Sequence, residues 1–193
     1  MILDIRDNRG GYGTAHNRIV GRFLPSRRKV AVSYVKSGPG HHEFRTTEVY
    51  CEPAGPWQYT KPVTLLLNAM TGSAADLFAC YMISTGRPVT IGSTTHGNLT
   101  GVGLYVLLSC GLIVRVSHGY VCDANGRIIE GNGNMPQIEV APTLSDVREE
   151  RDTVLERAVA ELKTRVRTEA SSTRISRNRT GAARAVTMVR RSR

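Results

Sequence analysis

A serine at residue 73 stands where its hydroxyl group could act as a nucleophile. Residues 63–67 are a run of apolar and β-branched residues after Pro62, which predicts a buried strand, and the apolar run that begins at Ala74 predicts a helix packed on it. Ser73 lies between the two. Its hydroxyl would therefore lie near the unpaired N–H groups that open the helix, where developing negative charge is stabilised.

A structural role explains the same serine. Ser73 and Asp76 have the spacing of a capping box, in which the serine oxygen accepts a hydrogen bond from a backbone N–H at the start of a helix. Caps occur at most helices and catalytic serines at few, so this segment taken alone favours the cap. Other segments have to decide between the two interpretations.

Three further segments carry residues suited to a functional site. Gly10 and Gly11 follow a predicted strand over residues 2–5, and two glycines let another group approach the backbone closely, although an ordinary turn is the alternative. Residues 93–101 form a polar, glycine-rich loop after another short strand, where functional residues are often found. Glu130 ends a strand before a Gly-Asn-Gly turn, where it is either exposed or placed to orient another group.

Helical and strand patterns alternate along the rest of the chain. This order predicts a mixed α/β fold with helices covering a sheet, and we find no internal repeat. The other predicted elements are a helix over residues 15–24, a β-hairpin of residues 29–36 and 43–50 that points out from the domain, strands over residues 89–92, 102–108, 112–117, 121–123, 127–130 and 138–140, and a closing helix over residues 144–166.

The positive charge of the chain is concentrated at its end. The 193 residues carry a formal net charge of +10, and residues 165–193 contain nine arginines and one acid, Glu169. Low apolar content and high charge predict disorder from about Thr168. We therefore divide the chain into a domain, residues 1–164, and a basic tail, residues 165–193. The tail has no aromatic residues that could stack on bases, so we do not expect nucleic acid as a partner.

Several other classes of site lack support. The four cysteines contain no Cys-x-x-Cys pair, their spacing leaves disulfide pairing open, and the five histidines are scattered, so no metal and no cofactor is expected. No stretch approaches the roughly 20 apolar residues of a membrane span. Residues 2–5 already have the pattern of an interior strand, which suggests that the start of the domain is missing.

Four segments, in this order, resemble one family. They are similar to the carboxyl-terminal processing (tail-specific) serine peptidases, nearest to the branch that includes the tricorn core and the interphotoreceptor retinoid-binding protein. The likeness runs from residue 2 to about residue 162, and four weak motifs in register reverse the preference at Ser73 in favour of a nucleophile. The segments are residues 3–11 (Leu-Asp-Ile-Arg-Asp-Asn-Arg-Gly-Gly), 72–76 (Gly-Ser-Ala-Ala-Asp), 91–98 (Ile-Gly-Ser-Thr-Thr-His-Gly-Asn) and 129–136 (Ile-Glu-Gly-Asn-Gly-Asn-Met-Pro).

The resemblance implies a Clp protease/crotonase-like fold, cleavage of peptide bonds in a polypeptide substrate, and a role for each matching residue. Ser73 matches the nucleophile. The N–H of Ala74 and that of Gly10 or Gly11 match the oxyanion hole, whose donors stabilise the tetrahedral intermediate. Glu130 matches a glutamate that orients a catalytic histidine.

The general base is where this chain departs from the family. One branch uses a lysine, and the matching residue here is Asn98, which cannot accept the serine proton. The other branch uses a histidine that lies upstream of the first segment, in a part that this chain does not contain. His96 is a possible substitute, to which the family pattern assigns no role. A second departure is Gln137, where the family usually has aspartate, and the family's peptide-binding PDZ module is absent.

These departures lead to the expectation that the 193 residues alone have weak or no peptidase activity, because a triad without its base retains only a small residual rate. The alternative is a non-catalytic module of the same fold that binds an apolar ligand or a peptide. The family's usual location implies a periplasmic or secreted protein, although the N-terminus shows no export signal. The substrate sequence and the oligomeric state stay open.

Overall fold

A computed structural model describes residues 1–13, 15–99 and 102–189. A 3-10 turn, Gly21–Phe23, follows the first helix. In chain order the elements are β1 (Ile2–Asp4), α1 (His16–Val20), β2 (Arg28–Lys36), β3 (Phe44–Cys51), β4 (Val63–Leu67), α2 (Ala74–Ser84), β5 (Pro88–Gly92), β6 (Val102–Leu107), β7 (Ile113–Ser117), β8 (Gly119–Asp123), β9 (Ile138–Glu139), α3 (Leu144–Arg148) and α4 (Thr153–Val189).

A parallel sheet of four strands, in the order β1-β4-β5-β9, forms the centre of the fold. Every residue of β4 is buried because the strand is covered on both faces. Val63, Leu65 and Leu67 pack in the core that contains α2, whereas Leu66 packs with Val154 of α4. Burial on both faces explains why β4 is a continuous apolar run rather than an alternating pattern.

The antiparallel sheet β3-β2-β8 covers the other side of α2. The hydroxyl of Ser84, at the end of α2, donates to the carbonyl of Val30 in β2 at 2.8 Å, and both Val30 and Ala31 are fully buried. The predicted strands β2 and β3 are therefore confirmed, but the prediction that their hairpin points out from the domain is wrong. The hairpin packs on α2 because β8 pairs with β2 and completes a sheet, a long-range pairing that local pattern does not reveal.

The turns near the middle of the chain only partly follow the prediction. Strands β6 and β7 form the expected antiparallel pair. Residues 127–130, predicted as a strand, make a single bridge between Ile128 and Cys122 of β8 instead of a ladder.

The closing helix begins at the predicted residue, Leu144, but it is not continuous. It is broken between α3 and α4, where Glu150 has φ of 53°. Thr143 caps α3 in a reciprocal capping box with Asp146. α4 extends to Val189, across the segment for which composition predicted disorder. The disorder of the tail stays a prediction. The division at residue 164/165 stays a prediction.

Candidate active site

Three loops that leave the carboxyl ends of neighbouring parallel strands meet at one edge of the central sheet. Residues 5–13 follow β1, residues 68–73 follow β4 and residues 93–99 follow β5. In open α/β sheets, ligands bind in the crevice outside the carboxyl ends of the strands. The loops are hydrogen-bonded to one another: the N–H of Gly72 donates to the carbonyl of Asn8 at 3.0 Å, and the N–H of His96 donates to the carbonyl of Thr71 at 2.8 Å.

Ser73 has the backbone of a constrained turn rather than that of a helix cap. Its φ is 54° and its ψ is −123°, and its side chain makes no capping hydrogen bond. A non-glycine residue in such a conformation is costly, by about 1–3 kcal/mol, and persists only where its surroundings impose it. Two bonds do so here: the Ser73 N–H donates to the carbonyl of Asn98 at 2.7 Å, and its carbonyl accepts from the N–H of Leu77 at 3.0 Å. The residue is exposed, so the capping-box interpretation does not describe this structure.

Gly10 lies against the turn that contains Ser73. A Cβ atom added to Gly10 would lie 2.6 Å from the Cβ of Ser73 and 2.7 Å from the backbone nitrogen of Ala74. The φ of Gly10 is 94°, which a residue with a side chain rarely adopts. Glycine at this position is therefore required both by its conformation and by the approach of the β1 loop to the start of α2.

The backbone donors around Ser73 are not equivalent. The N–H of Gly10 already donates to the Oδ1 of Asn8 at 2.9 Å. Within the described part of the chain, the N–H groups of Gly11 and Ala74 have no recorded acceptor. Of the two glycines that the sequence offered, Gly11 thus has the available donor, and it faces the same cavity as Ala74.

Glu130 belongs to the same group of loops. One carboxylate oxygen accepts from the N–H of Leu99 at 3.3 Å, and the next residue, Gly131, donates its N–H to the carbonyl of Gly97 at 2.7 Å. Leu99 directly follows Asn98, which holds the N–H of Ser73. The β5 loop therefore connects the serine turn to the Glu130 turn, with Glu130 half-buried beside it.

His96 lies close to the serine turn without being bonded to it. A Cβ atom added to Gly72 would lie 3.5 Å from the Cβ and 3.9 Å from the Cγ of His96, so this side chain starts next to the residue that precedes Ser73. The side chain is exposed, and among the described residues no hydrogen bond joins its ring to Ser73. A role as substitute base stays a prediction.

Asp76, for which the sequence predicted only a capping role, is a central residue of the site. It is fully buried, and its carboxylate accepts hydrogen bonds from the hydroxyl of Thr95, the N–H of Gly97 at 2.7 Å and the Nδ2 of Asn134 at 2.8 Å. Asn134 and Thr95 are also paired directly, since the N–H of Asn134 donates to the Thr95 Oγ1 at 2.6 Å. The signal was an acidic residue within a helix that is otherwise apolar on all sides.

Asp76 thus fastens the start of α2 to the two loops that carry His96 and Glu130. Its three donors come from the residues on either side of His96 and from the turn after Glu130. The capping-box interpretation assigned this carboxylate to a backbone N–H of its own helix. Its actual partners lie 19 to 58 residues away, beyond the reach of a local motif.

A second missed residue is His16, which lines a cavity of about 330 Å³ beside Ala74, Gly10 and Gly11. The sequence interpretation treated this histidine as one of five scattered ones. Burial lowers its pKa, so the ring is neutral at neutral pH. Its ring packs edge-on against Tyr81, with 5.0 Å between the centroids.

Other chemistries find no support in the described residues. Cys51, Cys80, Cys110 and Cys122 are free thiols, and burial raises the pKa of Cys51 to about 11 and that of Cys80 to about 12, which keeps both protonated. The described part of the chain has no cluster of three metal-ligating side chains. None of its helices is long and apolar enough to cross a membrane.

Gln137, at the position where the resemblance implied an aspartate, is hydrogen-bonded to β5. Its side-chain oxygen accepts from the N–H of Thr90 at 3.2 Å, and its own N–H donates to the Thr90 hydroxyl at 2.8 Å. This pair ties the segment before β9 to β5. An amide oxygen accepts this bond without a charge.

Comparison with known proteins identifies the family. The family model described as peptidase family S41 matches residues 1–140, which include all three loops, α2 and Glu130. The chain belongs to peptidase family S41. A crystal structure of a protein from Parabacteroides merdae ATCC 43184, described as a candidate peptidase, is 33% identical to the chain with a TM-score of 0.77, and the match covers 83% of this chain and 51% of that one.

More distant solved structures share the fold. The photosystem II D1 C-terminal processing protease is 23% identical with a TM-score of 0.57, over 74% of this chain and 35% of that one. The tricorn protease is 20% identical with a TM-score of 0.60, over 84% of this chain and 15% of that one. The chain therefore spans about half or less of the length of these relatives, and it has the mixed α/β, Clp protease/crotonase-like fold that the sequence predicted.

Proposed function

We propose that this S41 chain provides the nucleophile half of a serine peptidase site that cleaves polypeptide chains, with Ser73 as the attacking residue. The observation that carries the proposal is the backbone of Ser73, exposed at φ 54° and without a capping bond, with Gly10 against it. A serine used only as a cap would have its oxygen on a backbone N–H. Here the hydroxyl makes no capping bond and the residue is exposed.

The N–H groups of Ala74 and Gly11 would form the oxyanion hole. Both lie next to the serine turn and line one cavity, and neither has a recorded acceptor among the described residues. A donor of this kind contributes to the rate only if it is free to bond the developing oxyanion, and removing one typically costs about 10²–10³ in kcat. The hydrogen bond from Gly10 to Asn8 would hold the glycine turn in shape.

Glu130 would orient a histidine that lies outside these 193 residues, and that histidine would be the general base. The position of Glu130 supports this role. Its carboxylate accepts from the N–H of Leu99, and the residue before Leu99, Asn98, accepts from the N–H of Ser73. Without the base, the chain alone would have weak or no peptidase activity. Rapid cleavage of an unfolded peptide by the purified chain, abolished in Ser73→Ala, would refute that part of the proposal. The carboxyl-terminal processing type is likewise a proposal, supported by the likeness to the D1 processing protease.

A fluorophosphonate probe tests the assignment of the nucleophile. We expect the probe to form an adduct slowly, and peptide mass mapping to place that adduct on Ser73. Ser73→Ala should form no adduct while keeping the unfolding temperature of the wild type. Thr71→Ser provides a control for a second hydroxyl in the same loop and should leave the labelling of Ser73 in place.

The second candidate function is a non-catalytic module that binds an apolar ligand or a peptide. The cavity beside Ala74 favours it, since Leu3, Ile5, Ile19 and Phe78 line the walls. A chain that binds peptides in this cavity but never forms an adduct at Ser73 would support the module and contradict the peptidase.

A further inference from the structure

The cavity beside the serine turn is apolar along its walls and has room for a large side chain. Its volume is about 330 Å³, whereas a cavity of about 150 Å³ already accommodates benzene. Asp4 also lines it, but Arg6 binds the Asp4 carboxylate with its Nε at 2.9 Å and its Nη2 at 2.6 Å. That carboxylate is therefore already paired.

His16 adds a polar atom to this apolar cavity. The Nδ1 of His16 is buried without a hydrogen-bond partner, and Gly13 covers that edge of the ring, since a Cβ atom added there would lie 3.1 Å from Cε1 and 3.7 Å from Nδ1. Within the described residues, Nε2 has no recorded partner and does not share the burial of Nδ1. His16 lines the cavity and its Nδ1 is buried, which leaves Nε2 as the ring nitrogen for a molecule bound there.

The contact between His16, in α1, and Tyr81, in α2, places the imidazole further along α2 than Ala74. Its ring contacts Tyr81, which lies seven residues after Ala74, or about 10 Å further along the helix axis. Aromatic side chains on a helix lean back towards its N-terminus, which shortens that separation. A residue whose carbonyl oxygen lay between Ala74 and Gly11 would therefore extend its side chain past Phe78 towards His16.

We propose that His16 makes this cavity selective for an aromatic side chain that carries a hydroxyl group, which makes tyrosine the preferred residue on the acyl side of the cleaved bond. The role in cleavage rests on the proposed function, while the binding preference does not. A neutral imidazole nitrogen is a donor in one tautomer and an acceptor in the other, and a hydroxyl group can pair with either.

Other side chains fit this cavity less well. Phenylalanine fills the same space but leaves Nε2 without a partner, and one neutral hydrogen bond contributes about 0.5–1.5 kcal/mol, or about a two- to tenfold difference in affinity. A carboxylate or an ammonium group would lose its hydration among Leu3, Ile5 and Phe78, which costs more than one hydrogen bond returns.

Equilibrium binding tests the preference without requiring catalysis. Acetyl-Ala-Ala-Tyr and acetyl-Ala-Ala-Phe, whose terminal carboxylates can bind the oxyanion donors, are titrated into the 193-residue chain and followed by two-dimensional NMR of the backbone amides. We expect the tyrosine peptide to bind about two- to tenfold more tightly, with shifts at Gly11 and Ala74. In His16→Phe, which keeps an aromatic ring against Tyr81, the ratio should fall to about one.

Two further variants make the outcome specific. His16→Gln retains a hydrogen-bonding group and should keep part of the preference, and His41→Phe, on the exposed turn between β2 and β3, should keep all of it. Equal affinities in the wild type, a tyrosine preference that survives His16→Phe, or no binding of either peptide would overturn the inference. Ser73→Ala should keep the preference. Selective binding by a wild-type chain that is never labelled at Ser73 would contradict only the peptidase proposal.

Discussion

At the scale of single residues, the site depends on how closely the glycine turn after β1 approaches the serine turn. Gly10 leaves no space for a methyl group, because the nearest atoms belong to Gly72, Ser73 and Ala74. The same contact brings the Gly11 and Ala74 donors to one cavity. A change at Gly10 should therefore affect Ser73 more than it affects the fold.

Gly10→Ala tests this contact. Its φ of 94° is matched by that of Gly126, at 91°, where an added Cβ atom would meet nothing within 4 Å. Gly126→Ala should lose about 1–2 kcal/mol of unfolding free energy because of the left-handed backbone. Gly10→Ala should lose more, because its Cβ atom also overlaps atoms of the serine turn. Only Gly10→Ala should also lower the rate of fluorophosphonate labelling at Ser73, by about a hundredfold, because it displaces the serine turn. Equal labelling rates in the two variants would contradict the proposed geometry.

Asp76→Asn tests the buried carboxylate. An asparagine in this place would direct N–H groups at the hydroxyl of Thr95, the N–H of Gly97 or the Nδ2 of Asn134, all of which donate. We expect a loss of about 2–3 kcal/mol in unfolding free energy, measured by urea denaturation, because buried donors lose their acceptor.

The matched control for Asp76 is Glu139→Gln, an exposed carboxylate in β9, which should change stability by less than about 0.5 kcal/mol. Similar values for both variants would show that the Asp76 network does not hold the loops together.

Single residues were predictable from the sequence where a motif spans a few positions. Ser73, the glycine pair and Glu130 could be selected because the family pattern names them. Asp76 and His16 could not be assigned, because their partners come from distant segments or from an adjoining cavity. Local spacing even gave Asp76 a different role, that of a capping-box acid.

At the scale of elements, α2 is a helix enclosed between two sheets, and α4 covers the opposite face of the parallel sheet. The start of α4 is fastened to the end of β1: the Arg6 guanidinium binds the Asp152 carboxylate at 2.7 and 2.8 Å, and the Asp152 Oδ1 accepts from the N–H of Leu155 at 3.0 Å. The Arg6 hydrogen bonds lower the pKa of Asp152 below its ordinary value of 3.8.

The pH dependence of Asp152→Asn tests this attachment. The pKa of Asp152 is lower in the folded chain than in the unfolded chain, where it is 3.8. The ion pair therefore contributes fully to the unfolding free energy above pH 3.8. This contribution is lost as the pH falls from 3.8 through the folded pKa. At neutral pH the variant, which keeps the helix cap, should lose up to about 1 kcal/mol in unfolding free energy, since the pair is partly solvent-screened. The difference from wild type should therefore shrink as the pH falls below 3.8.

The control is Glu52→Gln, which removes a more exposed ion pair with Arg27. Its effect should be smaller at every pH. A constant penalty in Asp152→Asn from pH 7 to pH 2 would mean that charge pairing does not hold α4 in place.

Helices and strands with a clear hydrophobic pattern of their own could be predicted from the sequence. The distant elements that they pair with or pack against could not. The apolar run of β4 and the helix that follows it were found because burial on both faces leaves a clear signal. The hairpin of β2 and β3 was found as a hairpin, but its packing on α2 depends on β8, some 80 residues later. The break between α3 and α4 was missed because the apolar spacing continues across it.

At the scale of the whole molecule, the body and the basic end of α4 should be separable. Among the α4 side chains that the structure describes, which end at residue 171, the last one hydrogen-bonded to the central sheet is Arg165, whose Nη1 donates to the carbonyl of Val63 at 3.2 Å. A chain that ends at Ser171 should therefore keep its unfolding free energy within about 0.5 kcal/mol. A chain that ends at Arg151 also loses Val154 and Ala158 from the core and should be strongly destabilised.

Thermal and urea unfolding of the two shortened chains check this prediction. A loss of more than about 1 kcal/mol on removing residues 172–193 would show that this segment packs on the body. That nucleic acid is not a partner stays a prediction.

The central claim is that Ser73 is positioned for attack and that only its base lies outside the chain. Imidazole added to the solution can take the place of a missing histidine. We measure the rate of fluorophosphonate labelling at Ser73, by intact mass, as the imidazole concentration is raised. The account predicts that the rate rises with free imidazole well beyond its effect on probe hydrolysis, and that the rise is abolished in Ser73→Ala and strongly reduced in Gly10→Ala. A rate that does not respond to imidazole, or an adduct that forms on another residue, would contradict it.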